Sequence, residues 1–155
     1  MTATRAVTGP WTLLFPITFA VHIAEEYWGG ETFSGWVSRL WSIDFSPHEF
    51  LELNALAMAV MIGGVIVANA TAFRLPIAAL GFLVAFNGAL HAVASLATAS
   101  YSPGVVSGVL IWIPLGAFAL RRAYHALPRS QFYGGIAAGV VAHALISVLA
   151  FTFTS

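Results

Sequence analysis

The residues best able to do chemistry in this 155-residue chain stand together near its start, in His22-Ile23-Ala24-Glu25-Glu26. On a helix, His22 and Glu25 are related as i, i+3 and His22 and Glu26 as i, i+4, spacings that bring side chains to one face. An imidazole with a carboxylate one turn away is the arrangement by which helical bundles hold iron, manganese or zinc, here mirrored relative to the Glu-x-x-His of di-iron bundles. Adjacent glutamates diverge by about 100° around a helix. They therefore have separate tasks: one binds an ion, and the other orients a ligand, holds a second ion or faces water. The chain has no cysteine, which excludes disulfides and thiolate sites and leaves His and carboxylate as metal ligands.

These groups must be placed by apolar elements. Of all residues 59% are hydrophobic and 8% charged, and the mean hydropathy is +0.88, more apolar surface than one soluble core of this size could bury. The chain reads as an all-α membrane protein of one domain, without internal repeats. Zero net charge argues against nucleic acid, since no basic surface replaces phosphate counterions. Five segments reach the roughly 20 apolar residues of a spanning helix, near 10–29, 47–70, 75–98, 103–121 and 133–153. Their starts are punctuated. Gly9-Pro10 and Ser102-Pro103 offer an N-cap followed by proline, and Ser46-Pro47-His48-Glu49 adds the reciprocal acid of a capping box. A cleaved signal peptide is not expected, because the first apolar run is long and ends in acids.

The chain has arginine but no lysine, and with five spans Arg5, Arg74, Arg121, Arg122 and Arg129 fall on the side of the N-terminus while only Arg39 falls opposite. The positive-inside rule then places the N-terminus in the cytoplasm and the C-terminus outside the cell membrane. All six acids lie between residues 25 and 52, at the outer ends of the first two spans. The long connection between those spans sets Phe33, Trp36, Val37, Leu40 and Trp41 at helical spacing. It reads as an amphipathic helix over about 32–43, lying in the outer interface and anchored by tryptophan.

Depth follows from a rise of about 1.5 Å per residue. His22 lies roughly 18 Å into the first span, with Glu25 and Glu26 at roughly 22 and 24 Å, against a hydrocarbon thickness of about 30 Å. Asn87 and His91 reach the same layer from the third span, Glu52 and Asn54 enter it on the second, and Tyr101 and Ser102 stand at the outer lip of the fourth. His143 sits near mid-depth in the last, on a face with Gly135, Gly139 and Ser147 that lets another helix approach closely. Unpaired charges in lipid cost several kcal/mol, so such groups face inward and pair or bind.

Other polar residues have plainer readings. Glu49 is the capping acid, His48 is interfacial, His125 belongs to the loop beside Arg121 and Arg122, and Trp28, Trp36 and Trp41 are membrane anchors. No nucleophile motif, phosphate loop or zincin motif is present.

The "HIAEE" of the first span, "NGALH" of the third, "YSPG" opening the fourth and a histidine in the last together resemble the membrane-protein family named for its HXXEE motif. The resemblance covers essentially the whole chain and implies functional roles for His22, Glu25, Glu26, Asn87 and His91. That family has no assigned reaction, so no substrate follows from it. Glu52 and His143 rest more on the depth argument.

The resulting expectation is a small membrane metalloenzyme acting on a hydrophobic, lipid-soluble substrate. His22, Glu25, Glu26, Glu52, His91 and His143 would hold one or two ions of zinc, iron or manganese. Glu25, Glu26 and His91 are the catalytic candidates, and Asn87, Asn54 and Tyr101 the substrate-binding ones. Zinc would suit hydrolysis, and iron oxygen-dependent hydroxylation or desaturation. The alternatives are a metal-free acid/base isomerase of a sterol-like or isoprenoid lipid, and a non-enzymatic binding or transport protein. Against transport, the inner halves of the spans lack ionisable groups. A homo-oligomer is left open.

Overall fold

A computed structural model of the chain describes residues 7–152. Arg5 and residue 153, used above, lie outside them. Among the described residues all regular structure is helical. A 3-10 turn, Pro10–Leu13, with Gly9 at its N-cap, leads into α1, Leu14–Trp28. Then follow α2, Phe33–Trp41, α3, Pro47–Ala70, α4, Leu75–Thr98, α5, Val105–Ala126, and α6, Arg129–Thr152. Four of these helices, α3 to α6, are long and apolar enough to cross a membrane. Leu56, Val60 and Ile66 on α3 and Val141, Leu145 and Val148 on α6 turn outward, as side chains meeting hydrocarbon do.

The α3 start is the expected capping box: Ser46 N–H donates to Glu49 Oε2 (2.7 Å) and Glu49 N–H to Ser46 Oγ (3.2 Å). The α5 start is not the expected Ser102-Pro103 cap. Gly104 is the N-cap, at φ 94°, and the Val105 N–H turns back onto the Ser102 carbonyl (3.0 Å). At its other end α5 continues past Arg121 and Arg122 through His125, which is therefore helical rather than in a loop. The charges end the apolar window, but the helix stops only at Leu127, held extended by Pro128.

Helix α4 lies at the centre, and small residues bring its neighbours close. A Cβ added at Gly116 of α5 would stand 2.5 Å from the Gly81 carbonyl oxygen and 2.6 Å from Ala85 Cβ. The Gly135 and Gly139 face of α6 packs in the same way on α4, against Ala78 and Phe82, as its spacing suggested. Phe15, Phe19, Met61, Val65, Leu80, Val84 and Trp112 fill the space between.

At the other end of the bundle α2 folds back over it. Thr32 Oγ1 accepts the Gly35 N–H (3.1 Å), and Arg39 forks onto Glu31 at 2.9 and 2.7 Å. Trp36 and Val37 pack on Phe45, Phe50 and Leu53. Trp36 is thus 3% exposed and is not a membrane anchor, whereas Trp28, at 76%, is free of the core. The difference is its position one turn from Phe33, which turns its ring onto the bundle.

Candidate functional site

Helix α1 presents His22 and Glu26 one turn apart on the face that meets α4 and α5, and α4 contributes His91. These three are buried, with 1%, 5% and 5% of their surfaces exposed. Each offers one ligand atom within 4.8 Å of the other two. Glu26 Oε1 stands 3.6 Å from His22 Nε2 and 3.4 Å from His91 Nε2. Both distances exceed the 2.7–3.2 Å typical of an N–H···O hydrogen bond. They match donors that share an ion: two atoms each about 2.1 Å from one zinc at the tetrahedral angle lie about 3.4 Å apart.

The far side of each imidazole is occupied. His22 Nδ1 is 2.7 Å from Ser107 Oγ, and His91 Nδ1 is 3.1 Å from Ser102 Oγ. Asn87 Nδ2 lies 3.2 Å from His22 Nε2. An amide nitrogen only donates, so Nε2 accepts and the His22 proton sits on Nδ1, donated to Ser107. That tautomer makes Nε2 the unprotonated nitrogen, on the side of Glu26 and Asn87, the form in which a histidine held by an outer hydrogen bond ligates a metal.

The walls complete the box. The Trp112 indole stacks on His22 with ring centres 3.7 Å apart, and Phe33 of α2 stands over His91 at 5.7 Å. Trp112 ends a π-helical stretch, Gly108–Trp112, a local widening that often accompanies functional sites. Gly104 closes the remaining side. A Cβ there would lie 2.8 Å from His22 Cε1 and 3.0 Å from both Glu26 Cγ and His91 Cε1.

The expected ligand set therefore narrows to His22, Glu26 and His91, with Asn87 touching it. Glu25 points about 100° away and receives the α5 N-terminus: Val106 N–H at 2.9 Å and Tyr101 OH at 2.6 Å on Oε1, and Ser107 N–H at 2.6 Å on Oε2. Partial burial and the Glu25 carboxylate push the Tyr101 hydroxyl up to about 12, so it remains the donor. Glu52 is outside the group. Its side chain is 61% exposed, 3.6 Å from His48 Nδ1 on its own helix. His143 is half-buried and meets Phe86 edge-on at 5.0 Å; Phe86 and His91 are five residues apart on α4, hence on different faces. Asn54 donates to the Phe50 carbonyl (2.9 Å) within its own helix.

Ser107, Gly104, Trp112 and Phe33 did not emerge as site residues from sequence. The Pro103-Gly104 pair signalled a turn, though not what the turn would enclose. A serine or tryptophan in an apolar helix carries no such signal.

The fold and site define a helical membrane protein with a buried two-histidine, one-carboxylate group at one end of its bundle. The family described as "Protein of unknown function with HXXEE motif" matches residues 13–119, and the chain belongs to this family. His22, Glu25 and Glu26 are its motif residues, and the matched stretch also carries Asn87, His91, Ser102, Gly104 and Ser107. No curated protein and no solved structure matches the chain.

Proposed function

We propose that the protein is a small membrane-embedded metal-dependent enzyme whose ion is held by His22 Nε2, His91 Nε2 and Glu26 Oε1, acting on a lipid-soluble substrate. The observation that carries this reading is the convergence of both Nε2 atoms on one buried carboxylate oxygen, at 3.6 and 3.4 Å, while serine hydroxyls hold both Nδ1 atoms. A buried carboxylate without a compensating cation is strongly disfavoured. Two neutral imidazoles and one carboxylate suit zinc, iron or manganese and leave coordination positions open, where the ion would act as a Lewis acid or bind oxygen. Glu26 and the histidines hold the group, Asn87 lies where it can hydrogen-bond a bound molecule, and Trp112, Phe33 and Gly104 exclude water.

The first apolar stretch belongs to the bundle as a fifth span in this reading. Its four 3-10 and fifteen α-helical residues extend about 30 Å at about 2.0 and 1.5 Å per residue, the hydrocarbon thickness. With α2 lying in the outer interface, Arg74, Arg121, Arg122 and Arg129 share the cytoplasmic side. Elemental analysis of the protein purified in mild detergent, beside His22→Ala/His91→Ala, tests the centre. Near-stoichiometric zinc, iron or manganese lost in the variant supports it; wild type without metal after supplementation with each ion refutes it. Cysteines placed at Ser100 and Ala126 test the topology, the first labelled from outside intact cells and the second only after permeabilisation.

One observation favours a second reading. The Asn87 amide donates to His22 Nε2 at 3.2 Å, occupying the lone pair an ion would use. In that state Glu26 and His91 are an acid/base pair that could move a proton on an isoprenoid or sterol-like lipid, and its activity would survive chelators.

A further inference from the structure

The end of the bundle opposite the buried group holds four of the six arginines, Arg74, Arg121, Arg122 and Arg129, and none of the six acids, which all lie between residues 25 and 52. Helix α5 joins the two ends. From Val105 to Arg121 it rises about 24 Å, so no acidic side chain reaches these guanidiniums. The four are not equally open. Arg74 donates to the Ala68 and Thr71 carbonyls at the end of α3, and Arg122 lies over the Trp11 and Phe118 rings at 5.7 and 4.8 Å. Arg121 and Arg129 are exposed.

The corner between α5 and α6 brings those two to one surface. Arg121 and Tyr124 are i, i+3 near the end of α5 and share a face. Arg129, the first residue of α6, folds back over the Tyr124 ring, its guanidinium carbon 4.2 Å from the ring centre, and Phe132 meets the same ring edge-on at 5.4 Å. Stacking occupies the flat face of a guanidinium, while its N–H groups lie on the edge, in the fork that matches the oxygens of a phosphate.

Depth and charge select the partner. Arg121 closes the apolar run of α5 and Arg129 opens that of α6. Where these helices cross a bilayer, both arginines stand in its headgroup layer, among phosphates, as do the exposed rings of Tyr124 and Tyr133. A choline lipid brings its phosphate with a quaternary ammonium, for which this end has no carboxylate. A lipid of net negative headgroup brings the phosphate without that cation, and clustered arginines beside a span favour it.

We propose that the corner between α5 and α6 binds the headgroup of an anionic phospholipid, its phosphodiester held by Arg121 and Arg129, with Tyr124 fixing Arg129 in place. The site rests on the bilayer setting of α5 and α6 and is independent of a metal at His22, Glu26 and His91.

Native mass spectrometry of the full-length protein, released from detergent micelles holding equal amounts of dioleoyl phosphatidylglycerol and dioleoyl phosphatidylcholine, reads the preference. An arginine beside an anionic headgroup is worth about fivefold in affinity. Wild type should therefore favour phosphatidylglycerol about 25-fold, and Arg121→Gln/Arg129→Gln should approach parity. Arg39→Gln, which removes a charge from the other end, should leave the ratio unchanged. Tyr124→Leu keeps every charge but releases Arg129, and should lower the ratio about two- to fivefold. Equal retention of the two lipids by wild type, an equal fall in Arg39→Gln, or a ratio that Tyr124→Leu leaves unchanged marks diffuse charge rather than a site and overturns the proposal. Glycerol 3-phosphate in equimolar amount should not displace the lipid; displacement would mark a site for a soluble phosphate and overturn it as well.

Discussion

Replacing Gly104 by alanine tests the site with one methyl group. The new Cβ would stand 2.8 Å from His22 Cε1 and 3.0 Å from Glu26 Cγ and His91 Cε1, whereas ordinary contact begins at 3.4 Å. Relieving it by moving the ligand side chains requires shifts of about 0.4–0.6 Å, two to three times the roughly 0.2 Å tolerance of metal–ligand distances. Moving the backbone instead displaces Ser102 and Ser107, which orient both imidazoles. Two costs to stability arise: backbone strain of about 1–3 kcal/mol for alanine at φ 94°, and overpacking of about 1–3 kcal/mol. Gly30→Ala separates them, because Gly30 also has a positive φ, 122°, but nothing lies within 4 Å of its added Cβ. Thermal unfolding in detergent, with and without EDTA, should show the strain in both variants. Only Gly104→Ala should lose metal by elemental analysis, with affinity down at least tenfold, and it should lose the stabilisation that metal confers. A Gly104→Ala protein that retains wild-type metal content and affinity refutes the placement of the ion among these three residues.

Further outcomes follow from the same geometry. Ser107→Ala removes the acceptor of the His22 Nδ1 proton and should weaken metal binding about 10- to 100-fold, measured by competition with a chelator. Glu52→Gln and His143→Ala, both outside the group, should leave metal content unchanged in the same assay. Gly116→Ala drives a methyl group into the Gly81 carbonyl oxygen and Ala85 and should cost about 1–3 kcal/mol of stability, read by thermal unfolding. The Arg39 guanidinium holds the Glu31 carboxyl below its usual range. A carboxyl depressed on folding contributes stability above its unfolded value, about 4.3, and loses it as pH falls through the folded one. The seating of α2 should therefore loosen only below about pH 4, detected by Trp36 fluorescence, and Glu31→Gln should remove that acid step with little effect at neutral pH.

Axial order was legible in the sequence and azimuth was not. The residues 47–70 and 75–98 form α3 and α4 as expected, because hydropathy and Ser46, Pro47 and Pro76 mark positions along the chain. Rise along the helices likewise puts His22, Glu26 and His91 at one depth, and they meet. It puts Glu52 and His143 in that layer too, yet depth says nothing about the direction around the helix. Each residue turns the side chain by about 100°. Which way α3 and α6 face is decided by packing: Phe50, Leu53 and Met61 turn inward, which sends Glu52 out, and Gly135 and Gly139 bring α6 onto the Ala78–Phe82 surface of α4, away from His91. The wall residues were least legible, since Gly104 and Ser107 matter for what lies opposite them, information held in another helix.

The two adjacent acids of the motif turn to different partners. Glu26 shares a face with His22 and turns into the buried group; Glu25 turns toward α5 and accepts its first free N–H groups, where a carboxylate also meets the positive end of the helix dipole. Through Ser107, whose N–H binds Glu25 and whose hydroxyl meets His22 Nδ1 at 2.6 and 2.7 Å, Glu25 sets the position of the hydroxyl that orients the His22 imidazole. The two glutamines should therefore differ in kind. Glu26→Gln removes the carboxylate charge from the proposed centre and should abolish metal binding with the fold intact. Glu25→Gln keeps all three ligands and loosens the α5 start, so metal should bind more weakly while hydrogen exchange at Val106 and Ser107 accelerates. Equal loss of metal in both variants, without faster exchange in Glu25→Gln, would show that Glu25 is itself a ligand.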